Sequence, residues 1–94
     1  MITGFRDRDT ERFANGERIP KWEPFRIQAE KRLRILDAAI GLHDLAALNS
    51  NRLEALRGDR KGRYSIRINQ QWRICFEWPK NATGPDNVEI TDYH

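Results

Sequence analysis

Very little of the chemistry that usually marks an enzyme is present in this chain. Its 94 residues include one cysteine and two histidines. A lone Cys75 excludes an internal disulfide and fits a reducing compartment. Inside "WRICFEW" it reads as a small packed residue, because cysteine is among the most often buried side chains. His43 and His94 have no partner at ligand spacing, so no metal site is expected. No apolar run approaches the roughly 20 residues that cross a bilayer. "MITGFRDRD" lacks the apolar core of a secretion signal, which predicts a cytoplasmic protein with no membrane contact. The sequon "NAT" at Asn81 then has no bearing. A second core would leave both halves too small, so one domain over residues 1–94 is expected.

Charge and aromatics are what the chain does have. Charged residues make up 33% and aromatics 10%, with three tryptophans, a composition that argues for a modest packed core and against disorder. The formal net charge is only +3, but it is concentrated. Arg52, Arg57, Arg60, Lys61, Arg63, Arg67 and Arg73 stand against only Glu54 and Asp59 in the same stretch. A basic middle in an otherwise near-neutral chain points to an anionic partner, nucleic acid first. A solvated charged face is the ordinary alternative.

The period of the pattern changes half-way along. "ITGF" reads as a short first strand, and "RDTERFANGE" as a short helix stopped at Asn15-Gly16. "IPKWEPF" reads as a loop. Phe25, Ala29, Leu33, Leu36 and Ile40 then recur at helical spacing, predicting an amphipathic helix closed by Gly41. "HDLAAL" gives one more helical turn. From Arg52 onward the strand candidates are Leu53–Arg57, Tyr64–Asn69, Trp72–Trp78 and Val88–Tyr93, separated by Gly, Asn and Pro. Helices followed by strands predict an α+β fold, with N-terminal helices packed on one face of a small antiparallel sheet.

Strand parity sharpens the reading of the arginines. Tyr64, Ile66 and Ile68 must face the same core as Trp72, Ile74, Phe76 and Trp78. That sets Ile68 opposite Trp72 across a three-residue turn, Asn69-Gln70-Gln71, and sets Arg67 opposite Arg73 on the other face. Like charges directly opposite one another destabilise a sheet. Two guanidiniums forming one fork suit a phosphate, which favours phosphate binding over plain solvation. Arg57 and Arg63 extend the same patch. Parity also discounts Trp72 and Trp78 as base-stacking platforms. Trp22, between two prolines, fits either a core plug or an exposed contact.

Cleaving RNA at a phosphodiester needs a base for the 2′-hydroxyl, a cation for the phosphorane and an acid for the leaving oxygen. The arginines offer the cation and Glu54 and Asp92 are possible bases. Tyr93 and His94 are possible acids or stacking partners. A lone terminal histidine is in isolation an exposed bystander. If the "DYH" end does serve, Asp92 and Tyr93 cannot both point into one site from a regular strand, so a break or twist near Thr91 is expected.

The segment "LRGDRKGRYSIRINQQWRICFEW", followed at a distance by "VEITDYH", resembles the HigB-type toxins of bacterial type II toxin–antitoxin systems, in the RelE superfamily. The likeness spans nearly the whole chain. It implies a RelE-like fold and a ribosome-dependent messenger RNA endonuclease acting in the A site, with neither metal nor organic cofactor. It further implies a cognate HigA-like helix-turn-helix antitoxin, through which the complex meets operator DNA. By the same resemblance Arg73 stabilises the scissile phosphate and Arg57 does similar electrostatic work. Arg60, Lys61, Arg63 and Arg67 complete the basic face, and Asp92, Tyr93 and His94 match a terminal catalytic group. Many relatives carry a histidine where this chain has Glu54, so that either this carboxylate acts as base or the job shifts to His94 and Asp92. A non-catalytic RNA- or ribosome-binding module and a protein-interaction domain are the competing readings of the same face.

Overall fold

The computed structural model describes residues 1–92. Helix α1 (Arg8–Ala14) starts at Asp7, whose carboxylate accepts from the Thr10 amide at 3.1 Å, satisfying one of the amides that every helix start leaves unpaired. Gly16, at φ +96°, takes the left-handed turn that ends it, in line with the expected Asn15-Gly16 stop. Pro20–Phe25 forms a 3₁₀ helix where a loop was expected. The reason is physical: the fixed φ of Pro20 and Pro24 suits a tight helical turn as well as a loop. Helix α2 (Arg26–Ala38) follows directly, then α3 (Leu42–Ala47) and a 3₁₀ turn, Asn49–Asn51.

The amphipathic stripe was correct for Phe25, Ala29, Leu33 and Leu36, all buried, but overshot at its end. α2 stops at Ala38, Ile40 is exposed, and Gly41 in an extended conformation opens α3 instead of closing α2.

Four strands, β1 (Glu54–Ala55), β2 (Arg63–Arg67), β3 (Trp72–Glu77) and β4 (Asp86–Asp92), form one antiparallel sheet in the order β1-β2-β3-β4. The architecture is α+β, as expected. The β2–β3 register is the one parity demanded: Ile66 faces Ile74 and Arg67 faces Arg73. The hairpin is closed by the Ile68 amide donating to the Trp72 carbonyl at 2.9 Å. The Asn69 side chain caps the turn, its oxygen accepting from the amides of Gln71 and Trp72 at 2.8 Å each. Two strands are shorter than expected. β1 keeps two residues, followed by Leu56, which is buried and donates from its amide to the Arg63 carbonyl at 2.8 Å. "ITGF" contributes one parallel bridge, Phe5 to Val88, at the free edge of β4.

One face of the sheet carries Ile66, Ile74, Phe76, Val88 and Ile90 into a common core with Trp22, Phe25, Leu33, Leu36 and Leu45. Trp22 is a core plug, edge-on to Phe13, and Trp72 stacks on Phe25 with ring centroids 5.1 Å apart. Thr10 ties α1 to this layer, since its hydroxyl accepts from the Ile90 amide at 3.0 Å. Truncating a fully buried member such as Leu36 to alanine costs about 2–5 kcal/mol at sites of this kind. Among the described residues, no helix is long and apolar enough to cross a membrane. The helices therefore occupy one face of the sheet, and the opposite face holds the arginines.

Candidate RNA-binding face

The outer face is built in three rows, each set by the strand pairing. The middle row runs Glu54, Ser65, Cys75, Glu89. On one side lie Arg67, Arg73 and Thr91, and on the other Arg63 and Glu77. Ser65 and Cys75 are fully buried although they point away from the helices, so this face is partly covered. The 3₁₀ turn Gly58–Arg60 follows β1, and Arg60 lies near enough to act electrostatically on the Cys75 thiol. Burial, and next the Glu89 carboxylate, push that thiol above its ordinary value, with Arg63, Arg60 and Arg73 opposing. A thiol held protonated in this way is a packed residue and a poor nucleophile.

The arginines fare differently along this face. Arg63 is buried, donating to the Glu77 carboxylate at 3.3 Å and to the Asn87 carbonyl at 3.2 Å. The residue expected in an open phosphate-binding patch is thus buried, with its guanidinium paired inside the protein. Arg73 donates from Nε to the Ser65 hydroxyl at 2.7 Å and from a terminal nitrogen to the Arg52 carbonyl at 2.7 Å. Arg67 donates from Nε to the Asn69 carbonyl at 3.1 Å. Among the described residues neither meets a carboxylate, and both guanidiniums are oriented by neutral acceptors.

The two guanidiniums rest on different acceptors, Asn69 two residues after Arg67 and Ser65 two residues before it.

Glu54 is brought to the same place. It faces Ser65 in the β1–β2 register, and side chains directly opposite stand with Cβ atoms about 5 Å apart. Glu54 and Arg73 thus stand on the strands on either side of Ser65, with no ion pair between them among the described residues. Arg57 and Lys61 are exposed in the turn that follows β1, where Gly62 at φ +89° lets the chain reverse into β2. Arg60 lies apart, lining a charged pocket with Arg6, Asp59, Arg63 and Glu89.

Asp92 is not brought beside Arg73. β4 runs regularly through Thr91, without the anticipated break. Asp92 pairs with Trp72, whose ring belongs to the helix-side face, and its carboxylate accepts from the Gln71 side chain at 2.8 Å. Asp92 is therefore placed at the hairpin tip and away from the Arg73 row. The irregularity in this sheet falls elsewhere, in β3 between Cys75 and Glu77. Tyr93 and His94 lie outside the described residues.

Residues 3–94 match the family described as the RelE-like toxin of the type II toxin–antitoxin system HigB. The chain belongs to that family. Toxin HigB-1 of Vibrio cholerae serotype O1 (strain ATCC 39315 / El Tor Inaba N16961) is 38% identical over 80 residues, which cover 83% of this chain and 84% of that protein. Membership of a type II toxin family implies an antitoxin partner, and the α+β architecture here is consistent with the RelE-like fold.

Two members of this HigB-like site are absent from the sequence-based expectation. Ser65 was available to it, since the parity that placed Arg67 and Arg73 on the outer face places Ser65 there too. Arg52 was not. Its contribution is a backbone carbonyl, turned toward Arg73 by a left-handed conformation (φ 48°, ψ 50°) that nothing in "NSNRLE" announces.

Proposed function

We propose that this HigB-like toxin is an endoribonuclease that cuts messenger RNA in the ribosomal A site and so arrests translation. The observation that supports this most directly is the state of Arg73. It is a fixed guanidinium, held by Ser65 and by the Arg52 carbonyl, with no acid neutralising it among the described residues and with Glu54 across the same hydroxyl.

In this reading Glu54 takes the proton from the 2′-hydroxyl as its oxygen attacks phosphorus. Arg73, aided by Arg67, stabilises the charge that accumulates on the phosphorane oxygens, where preorganised donors do most of their work. The bond to the 5′-oxygen then breaks, and Tyr93 or His94 supplies the proton that the departing oxygen needs. Arg57, Arg60 and Lys61 draw the strand to the face by long-range attraction. A HigA-like helix-turn-helix antitoxin holds the enzyme inactive in the cytoplasm and carries the pair to operator DNA.

The test is 5′-end mapping of a defined messenger in a reconstituted translation reaction. Wild-type protein should generate new ends at A-site codons. Arg73→Gln should slow their appearance about 10²- to 10³-fold, the usual cost of losing one donor aimed at transition-state charge. His94→Ala should also suppress them. Ends from His94→Ala at the wild-type rate would move the acid to another group, and no ends from wild type would leave a binding module without chemistry.

A further inference from the structure

Around Arg52, whose carbonyl accepts from Arg73, the surface opens into a shallow depression of about 590 Å³, lined by Asn49, Ser50 and Arg52. We infer that it is a second phosphodiester subsite, holding the linkage next to the one gripped by Arg73. The inference rests on the reading of this face as an RNA site and extends it to side chains that reading does not use.

Three observations carry it. The first is continuity: the Arg52 carbonyl accepts from Arg73 at 2.7 Å, so the depression is mechanically joined to the guanidinium beside it. The second is chemistry. Arg52 is exposed and, among the described residues, no carboxylate pairs with it, while Asn49 and Ser50 add an amide and a hydroxyl on the same rim. A cation with neutral donors and no acid is the donor set a phosphodiester takes.

The third is rigidity. The turn is held from behind by Asn51, which is fully buried and donates from its side chain to the Leu45 carbonyl at 3.1 Å. Arg32 donates to the Asn51 side-chain oxygen at 2.8 Å and reaches the Ser50 hydroxyl at 3.3 Å. A surface turn fixed by a buried asparagine and an arginine is ordered before any ligand arrives, which removes part of the entropic cost of binding.

The experiment uses the full chain and short RNA oligonucleotides made uncleavable by a 2′-deoxy substitution at the central nucleotide. One is fully charged, and two carry a neutral methylphosphonate on the 5′ or the 3′ linkage next to the central one. Wild-type protein should bind one of the neutralised oligonucleotides about tenfold more weakly than the charged one. Arg52→Asn, chosen because asparagine tolerates the left-handed backbone, should bind the charged oligonucleotide about tenfold more weakly and show no further loss on neutralisation. Its salt slope should fall by about 0.7, the value of one phosphate contact to a single strand. Asn49→Asp, an exposed change that places a negative charge on the rim, should weaken binding in the same linkage-dependent way.

Equal losses on neutralisation in wild type and Arg52→Asn would overturn the subsite. So would a variant that keeps oligonucleotide affinity but loses ribosome affinity, an outcome that assigns Arg52 to ribosomal RNA. Failure of the underlying reading is distinguishable, because Arg73→Gln would then bind every oligonucleotide as well as wild type does.

Discussion

The β2–β3 hairpin carries an arginine at each end of the same face, and the two ends have opposite fates. Arg63 and Arg67 lie four residues apart on one strand, equivalent in type and parity. At the Arg63 end the residue across the ladder is Glu77, and the guanidinium is buried against it and the Asn87 carbonyl. At the Arg67 end the residue across is Arg73, and both guanidiniums rest on a hydroxyl or on backbone carbonyls. Arg63 at the first end is buried, and Arg67 and Arg73 at the second are half-buried. The cross-strand partner, and not the arginine itself, decides whether a guanidinium serves the fold or stays available to a ligand. Counting basic residues along the chain therefore overstates the binding face.

The sharpest way to break this contrast is to turn the open end into a copy of the closed one. Arg67→Glu places a carboxylate opposite Arg73. Cross-strand pairs of opposite charge contribute roughly 0.2–1 kcal/mol, and the like-charge contact is removed as well. The melting temperature should rise by a few degrees, at about 4–8 °C per kcal/mol for a domain of this size. Messenger cleavage should nevertheless fall by about 10²-fold or more, since the added acid neutralises the charge meant for phosphate and repels the RNA. Calorimetry and end mapping on the same preparation read both effects. A variant both more stable and fully active would refute the idea that the open charges are kept for a ligand.

The converse change acts on the closed end. Arg63→Met keeps the buried chain length and removes the charge, leaving Glu77 with only the Asn87 side chain, at 3.0 Å. Breaking a fully buried ion pair by removing one partner costs about 3–5 kcal/mol. The Glu77 side chain is 36% exposed and can recover water, so about 2 kcal/mol is expected here. That corresponds to a melting temperature lower by roughly 10 °C. Cleavage measured well below the transition should stay within about threefold of wild type, as for separate sites that share no partner. A large loss of cleavage with unchanged stability would put Arg63 back among the ligand-binding residues.

Much of this contrast is legible in the sequence. Period-two alternation in "YSIRIN" and "WRICFEW" fixes the hairpin, because a one-residue slip would turn Ile66 and Ile74 out to solvent. The same register that sets Arg67 against Arg73 also sets Arg63 against Glu77, so strand parity alone contains the pairing that closes one end. Other features depend on three-dimensional context. Ile40 continues the apolar stripe of α2 in sequence, yet it is exposed because the helix ends two residues earlier. Asp92 reads as part of a catalytic terminus, yet a regular β4 carries it to the Trp72 side. The carbonyl of Arg52 belongs to no side-chain pattern at all.

The smallest expected effect concerns what holds Arg73 in place. Ser65 is fully buried, and its hydroxyl accepts from Arg73 Nε at 2.7 Å. Removing it in Ser65→Ala deletes no charge and touches no RNA, so substrate binding should change little. The Arg52 carbonyl still restrains the far side of the guanidinium, which limits the reorientation. A misaligned transition-state donor lowers kcat rather than raising KM. About a tenfold fall in kcat is expected, equivalent to roughly 1.4 kcal/mol. Ser65→Thr restores a hydroxyl on a β-branched residue suited to a strand and should recover most of the rate. A purely structural serine behaves otherwise: alanine would lower the melting temperature, and the rate per folded molecule would stay at the wild-type value with either substitution. The ratio of kcat between the Ser65→Thr and Ser65→Ala proteins, each corrected for the folded fraction, separates a positioning residue from a filler.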